Sequence, residues 1–106
     1  MGYDGTLVLE FLARTHRTSL LTDREKHLIG LAVTMTRGCQ VCTAGRIEKA
    51  RAAGIGDDSL NALIDAVAAV NAGVSAATAR EGFRAADASV TEECGALCSP
   101  VVAVGR

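Results

Sequence analysis

Two cysteines separated by two residues are the groups in this sequence best suited to chemistry. Cys39 and Cys42 follow an apolar helical run and the breaker Gly38, so we expect them where the next helix begins. The free N–H groups and positive dipole end of a helix start favour thiolate over thiol. Such a pair can also close a small disulfide ring and reopen it by exchange. The pattern predicts a redox dithiol site; the alternative is two buried structural cysteines.

Two further residues are candidates for proton or charge chemistry beside this pair. Arg46 falls on one helix face with Cys39 and Cys42, at spacings i, i+3 and i+7, so cation and thiols are expected to share an environment. His27 lies on the preceding helix, twelve residues before Cys39. An ordinary alternative stays open for each: a solvated helix arginine, and a surface or hydrogen-bonded core histidine.

A second pair of cysteines, Cys94 and Cys98, lies near the end of the chain. Three intervening residues would place both on one side of a helix, as a second dithiol that exchanges oxidising equivalents with the first. A zinc site built from all four thiols is an alternative, although the long separation of the pairs is unlike that of compact zinc ribbons. Incidental thiols in a tail are the third interpretation.

The composition indicates one domain with a small core and excludes some classes of partner. The chain has 106 residues, of which 49% are hydrophobic but only 3% aromatic, so its core is expected to be aliphatic and to gain from self-association. A net charge of -1 argues against nucleic-acid binding. No apolar run approaches the roughly 20 residues that span a bilayer, and the first residues do not resemble a signal peptide. We expect a cytoplasmic protein with no membrane partner, no cofactor and no metal.

The spacing of apolar residues predicts an all-α chain of about five helices. Thr22 and Glu25 match a capping box, which favours a structural role for Glu25 over acid–base work. Residues 71–73 (Asn-Ala-Gly) predict a break before the last helix, on which Phe83 is expected to point inward. Residues 1–88 are predicted to form the helical domain, and residues 89–106 a C-terminal extension with the second cysteine pair. The predicted helices cover residues 6–14, 22–36, 39–53, 57–71 and 75–88.

Two apolar stripes are expected to supply most of the core. On the helix before the cysteine pair, the stripe is predicted to be broad enough to bury most of the helix surface. On the fourth helix, the stripe recurs at helical spacing. The first stripe comprises Leu28, Leu31, Ala32 and Met35, widened by Ile29 and Val33; the second comprises Leu60, Leu63, Ile64, Val67 and Val70.

The stretch from Thr22 to Val74 resembles the carboxymuconolactone decarboxylase and alkylhydroperoxidase D superfamily. The resemblance rests on residues 25–33 (EKHLIGLAV), on 38–42 (GCQVC) and on the Ala-rich helix end with its Gly-Ile-Gly-Asp turn. It implies a compact all-α bundle that assembles as a trimer or hexamer. In the redox members of that family, the second cysteine attacks and the first resolves. By resemblance, those roles fall on Cys42 and Cys39.

The chain departs from the redox members at two positions. Those members place a Glu where this sequence has His27, and a His where it has Arg46, and the two form a proton relay to the thiols. His27 can still carry a proton near neutral pH. Arg46 cannot, since it stays protonated, but a fixed cation one helical turn from Cys42 favours the thiolate.

The leading hypothesis is therefore a thiol-dependent oxidoreductase that reduces a hydroperoxide or disulfide and is restored by an external dithiol or protein reductant. One alternative is a decarboxylase or lactone-processing enzyme, with His27 as base and Arg46 holding a substrate carboxylate. A non-catalytic oligomeric or metal-binding protein is the other.

Overall fold

A computed structural model describes residues 2–88, and within that range the chain is helical with no strand. The all-α prediction is thus confirmed for this part of the chain. The predicted extension 89–106, with Cys94 and Cys98, lies outside the described residues. Four helices are present: α1 (Thr6–His16), α2 (Asp23–Thr36), α3 (Gln40–Ala52) and α4 (Asp57–Asp87).

The start of α2 is set by the capping box that the sequence predicts. The Glu25 N–H donates to the Thr22 hydroxyl at 3.1 Å, and the Thr22 N–H donates to a Glu25 carboxylate oxygen at 2.7 Å. Hydrogen bonding from Thr22 to the Glu25 carboxylate, from its backbone N–H first and its side chain second, lowers the pKa of Glu25. The structural role predicted for Glu25 is therefore the one observed.

A tight turn joins α2 to α3 and presents the first cysteine. Gly38 has a φ of 78°, in the left-handed region that favours glycine after a helix. Its N–H donates to the Met35 carbonyl at 3.1 Å, and the Cys39 N–H donates to the Thr34 carbonyl at 3.1 Å. These bonds satisfy carbonyls at the end of α2 and hold Cys39 at the first position of the next element.

The core lies where α2, α3 and the start of α4 meet. Leu31 and Ala50 are fully buried, and Ile55 and Leu60 are nearly so. A second glycine with positive φ, Gly54, ends α3, and the Ile55 N–H donates to the Ala50 carbonyl at 3.0 Å. This turn directs Ile55 into the core. The half-buried side chains packed around these four belong to Leu28, Ile47 and Leu63.

The predicted apolar stripes are buried only in part. On α2, Leu31 is buried and its predicted companions are half-buried, but Ile29 and Val33 are exposed, so the expected broad burial is wrong. Val70 and Phe83 are also exposed, at 67% and 73%. Within residues 2–88, no other helix covers these faces.

Helix α4 corrects the predicted break at residues 71–73. It runs without interruption from Asp57 to Asp87, so the described chain has four helices rather than five. One interior glycine costs a helix only about 1 kcal/mol relative to alanine, and the alanines around Gly73 favour helix on both sides. The chain divides into two compact units, one up to Val67 and the other from Ala68.

Helix α4 is also long and apolar enough, by length and composition, to cross a bilayer, with a mean hydropathy of 1.5 over 18 residues. The expectation that no apolar run approaches this length missed α4, because Asp65 and Asn71 interrupt the run without lowering the mean hydropathy enough. Core and interface helices of soluble proteins share this composition, so it does not by itself assign the helix to a membrane.

Candidate dithiol site

Cys39 and Cys42 are joined by a disulfide at the N-terminus of α3, with their Cα atoms 5.3 Å apart. Cys39 is the N-cap residue, with extended backbone angles, and Cys42 lies in the first turn. The Cys42 N–H donates to the Cys39 sulfur at 3.2 Å. The predicted position at a helix start is confirmed, with the helix beginning one residue later than expected.

The two sulfurs have different surroundings. Cys39 is half-buried, whereas Cys42 is exposed. An incoming thiolate therefore reaches Cys42 first, and attack there releases the Cys39 sulfur as a thiolate. The Cys42 N–H and the dipole of α3 stabilise that leaving group, and a better-stabilised thiolate leaves faster. The geometry suits reversible opening of the disulfide through Cys42.

A shallow groove of about 430 Å³ adjoins the half-buried sulfur. Most of its wall is apolar, so it suits a nonpolar portion of a substrate or of a partner protein. Besides Cys39, the groove is lined by Met35, Gly38, Gln40, Thr43, Ala44 and Ile47.

Two threonines that the sequence analysis did not consider hold this end of α3 against α2. The Thr43 hydroxyl donates to the Cys39 carbonyl at 2.7 Å and lies 3.2 Å from the Thr34 hydroxyl. The Thr34 hydroxyl in turn donates to the Leu31 carbonyl at 3.1 Å. A helical threonine that bonds back to a carbonyl four residues earlier is a recognised local pattern, which could have identified Thr43.

His27 and Arg46 meet in a second cavity, of about 240 Å³. The sequence analysis places Arg46 on one helix face with both thiols, but neither cysteine lines this cavity. The four candidate residues form two groups, the cysteines at the start of α3 and the His–Arg pair beside them; their catalytic roles stay predictions. The residues around the cavity are His16, Asp23, Lys26, His27, Arg46 and Lys49.

The Arg46 guanidinium lies against α2 at Gly30, in space that a larger residue's Cβ would occupy. A Cβ placed on Gly30 would lie 2.7 Å from Cζ and 2.9 Å from Nε of Arg46, which is closer than van der Waals contact allows. The sequence analysis did not identify Gly30 as a site residue. A glycine in the middle of a helix costs stability, so its presence in α2 was an available signal of close approach.

The positions of the side chains on α3 explain why the apolar groove and the cavity around Arg46 are separate. Cys39, Thr43 and Ile47 recur every four residues and line the apolar groove. Cys42, Arg46 and Lys49, at i, i+4 and i+7, share another face of the helix, and the last two line the cationic cavity. The exposed sulfur therefore lies on the cationic side of α3.

The model of the carboxymuconolactone decarboxylase family matches residues 5–88, which include all four helices and the whole site. The chain belongs to the carboxymuconolactone decarboxylase family. The resemblance seen in the sequence is thus confirmed. No curated protein matches the chain, and no solved structure does.

In this member of the carboxymuconolactone decarboxylase family, Glu25 is not part of the candidate site. Glu25 caps α2 and lines neither the groove nor the cavity. Among residues 2–88, no group of three or more His, Cys, Asp or Glu side chains is placed to hold a metal. The zinc alternative required Cys94 and Cys98, which lie outside the described residues.

Proposed function

We propose that the protein is a thiol-dependent oxidoreductase of the alkylhydroperoxidase D type, which reduces a hydroperoxide or a disulfide. The observation that supports this most directly is the Cys39–Cys42 disulfide at the N-terminus of α3, with one sulfur exposed and the other half-buried and hydrogen-bonded. A structural pair of buried cysteines would not leave Cys42 open to solvent.

The proposed reaction begins with the reduced dithiol. The Cys42 thiolate attacks the terminal oxygen of the hydroperoxide, the O–O bond breaks, and the alcohol leaves with a proton. Cys39 then attacks the resulting sulfenic acid, which forms the disulfide and releases water. With a disulfide substrate, Cys42 forms a mixed disulfide and Cys39 displaces the second thiol. An external dithiol or protein reductant restores the pair by exchange and is itself oxidised.

His27 and Arg46 take supporting roles in this proposal. Arg46 follows Cys42 by four residues, about 6 Å along the helix axis, and its fixed charge favours the thiolate. His27 is half-buried beside Arg46, and its imidazole can supply the proton that the leaving alkoxide needs. Together they replace the Glu and His of the redox members.

The deciding experiment follows alkylation of each cysteine in the reduced full-length protein as a function of pH, with peptide mass mapping. We expect Cys42 to react at neutral pH and Cys39 more slowly. Cys42→Ser should abolish turnover with hydroperoxide or disulfide. Cys39→Ser should leave a single turnover and accumulate the Cys42 sulfenic acid with a hydroperoxide, or a mixed disulfide with a disulfide. A Cys42 that is alkylated only at high pH would contradict the proposal.

A decarboxylase or lactone-processing function is the second candidate, because the structure brings His27 and Arg46 into one cavity. In that reaction His27 would act as base and Arg46 would bind a carboxylate. Cys42→Ser would then keep most of the activity and Arg46→Ala would lose it. The redox proposal predicts the reverse dependence on Cys42.

The proposed setting is a cytoplasmic homo-oligomer, a trimer or hexamer, that binds neither nucleic acid nor membrane. Its support is the imbalance between the small buried core and the exposed apolar side chains of the described chain. Burial between copies would cover those side chains. A reducing compartment would keep the dithiol available for another cycle.

A further inference from the structure

The cavity beside α3 holds two lysines, Lys26 and Lys49, that have no role in the proposed thiol chemistry. Three of its lining side chains, Lys26, Arg46 and Lys49, are basic, and the only carboxylate in the lining is Asp23. Lys26 reaches Asp23 at 3.8 Å, but Asp23 is 95% exposed, so water screens this pair. Within residues 2–88, neither Arg46 nor Lys49 forms an ion pair with a carboxylate.

Partial burial of most of these side chains distinguishes the cavity from a fully solvated surface; Lys49, at its edge, is exposed. The Lys26 side chain is only 17% exposed, and Arg46 and both histidines are half-buried. The His16 Nδ1 lies 2.8 Å from the Leu12 carbonyl and donates to it, which fixes the ring in the cavity wall. Side chains from α1, α2 and α3 thus converge on about 240 Å³, enough for a carboxylate or phosphate group.

We infer that this cavity binds an oxyanion, and that the substrate of the dithiol carries such an anionic group. Oxyanion binding is inferred from the cavity alone. The anionic group on the dithiol's substrate also rests on the proposed function. Arg46 offers a planar fork that matches a carboxylate or a phosphate, while Lys26 and Lys49 supply point charges around it. Since Arg46 follows Cys42 by one turn, an anion bound there places the adjoining part of the molecule beside the exposed sulfur.

Direct binding tests the cavity without any redox activity. The oxidised full-length protein is titrated with inorganic phosphate and with acetate, followed by calorimetry and by side-chain NMR of Arg46. We expect saturable binding, and at least about a tenfold loss in Arg46→Gln and in Lys26→Gln, because both side chains are partly buried and each loses a charge-assisted hydrogen bond. Phosphate binding more tightly than acetate would assign a phosphorylated ligand; the opposite order would assign a carboxylic acid.

A matched control separates the cavity from general electrostatics. Arg37→Gln removes the same charge two residues before Cys39 but outside the cavity lining. We expect it to change anion affinity by less than about twofold, because an isolated exposed charge contributes little in water. Binding that is absent in the parent protein, or weakened equally by Arg37→Gln, would overturn the site.

The link to the dithiol is tested with two disulfide probes. Dithiobis(nitrobenzoate) carries carboxylates and dithiodipyridine is neutral, and both react with the reduced protein. The rate with the anionic probe, divided by the rate with the neutral probe, should fall about tenfold in Lys26→Gln but not in Arg37→Gln. An unchanged ratio would overturn the substrate assignment. If the parent protein binds phosphate but turns over neither hydroperoxide nor disulfide, the proposed function and the substrate assignment are wrong, and anion binding by the cavity still holds.

Discussion

At the scale of single residues, the two sulfurs of the site are made unequal by one hydrogen bond and one difference in exposure. Cys39 occupies the N-cap, where its sulfur accepts the Cys42 N–H, and Cys42 is open to solvent. Attack at Cys42 and departure of Cys39 is the direction that both features favour. The family roles expected from the resemblance point the same way.

Gly30 has no side chain to take part in a reaction, but it leaves the space in which the Arg46 guanidinium lies. We expect Gly30→Ala to keep every charge but to displace the guanidinium, because the added methyl would occupy its place. The gain in helix propensity, about 1 kcal/mol, should keep the fold at least as stable. Anion binding should weaken, and the Arg46 Nε–Hε resonance should shift. The measurements are thermal unfolding and side-chain NMR.

Gly45→Ala is the matched control for this variant. Gly45 lies in α3, and a Cβ there meets no atom within 4 Å. It should stabilise the helix by up to about 1 kcal/mol and leave the Arg46 resonance in place. If both alanine variants move that resonance equally, or neither does, the described contact between Arg46 and Gly30 is wrong.

At the scale of elements, hydrogen bonds at helix starts link the stability of the described chain to pH. The Thr22 bonds lower the pKa of Glu25, and the Arg51 guanidinium beside Asp57, with its hydrogen bonds first, lowers the pKa of that carboxyl. A carboxyl whose pKa falls on folding stabilises the protein at pH values above the pKa of the unfolded chain, which is about 4. That contribution is lost as the pH falls through the lowered value.

We therefore expect thermal stability to decrease as the pH falls from about 5 toward 3, and Glu25→Gln to reduce this decrease. Glutamine can still accept the Thr22 N–H, so the cap persists while its titration is removed. Melting temperatures measured across this range check the prediction. Asp65→Asn, at an exposed carboxylate with no hydrogen bond among the described residues, is the control; an equal reduction there would argue against the capping box as the cause.

At the scale of the whole molecule, the described chain exposes more large apolar side chains than it buries. Leu7 and Phe11 of α1 are 79% and 66% exposed, whereas four apolar residues form the buried core. Monomeric proteins seldom leave such faces uncovered, since burying one large side chain stabilises by about 1.5–3 kcal/mol. A second copy of the chain is the partner that we propose for them.

We expect the full-length protein to sediment as an oligomer at micromolar concentration, and Leu7→Lys with Phe11→Lys to weaken assembly at least about tenfold. Circular dichroism distinguishes dissociation from unfolding. Ser19→Lys adds a charge at an exposed polar position of the same region and should leave assembly intact. A parent protein that sediments as a monomer would contradict the proposed assembly.

Local interactions explain what the sequence alone determined about this protein. The capping box of Thr22 and Glu25, the glycine stops at Gly38 and Gly54, and the start of α3 at the cysteine pair depend on neighbours within a few residues. Such contacts can be read from spacing, because each helix end must satisfy its own backbone groups. The family could be recognised for the same reason, from a continuous run of residues.

Contacts between distant residues were decided only by the tertiary structure. Arg46 rests on Gly30, and Lys26, Lys49 and His16 join His27 around one cavity, because α1, α2 and α3 bring together residues far apart in sequence. The continuity of α4 and the exposure of its apolar residues likewise depend on what packs against it, which periodicity does not reveal. Spacing predicts a face of a helix, and packing determines what that face meets.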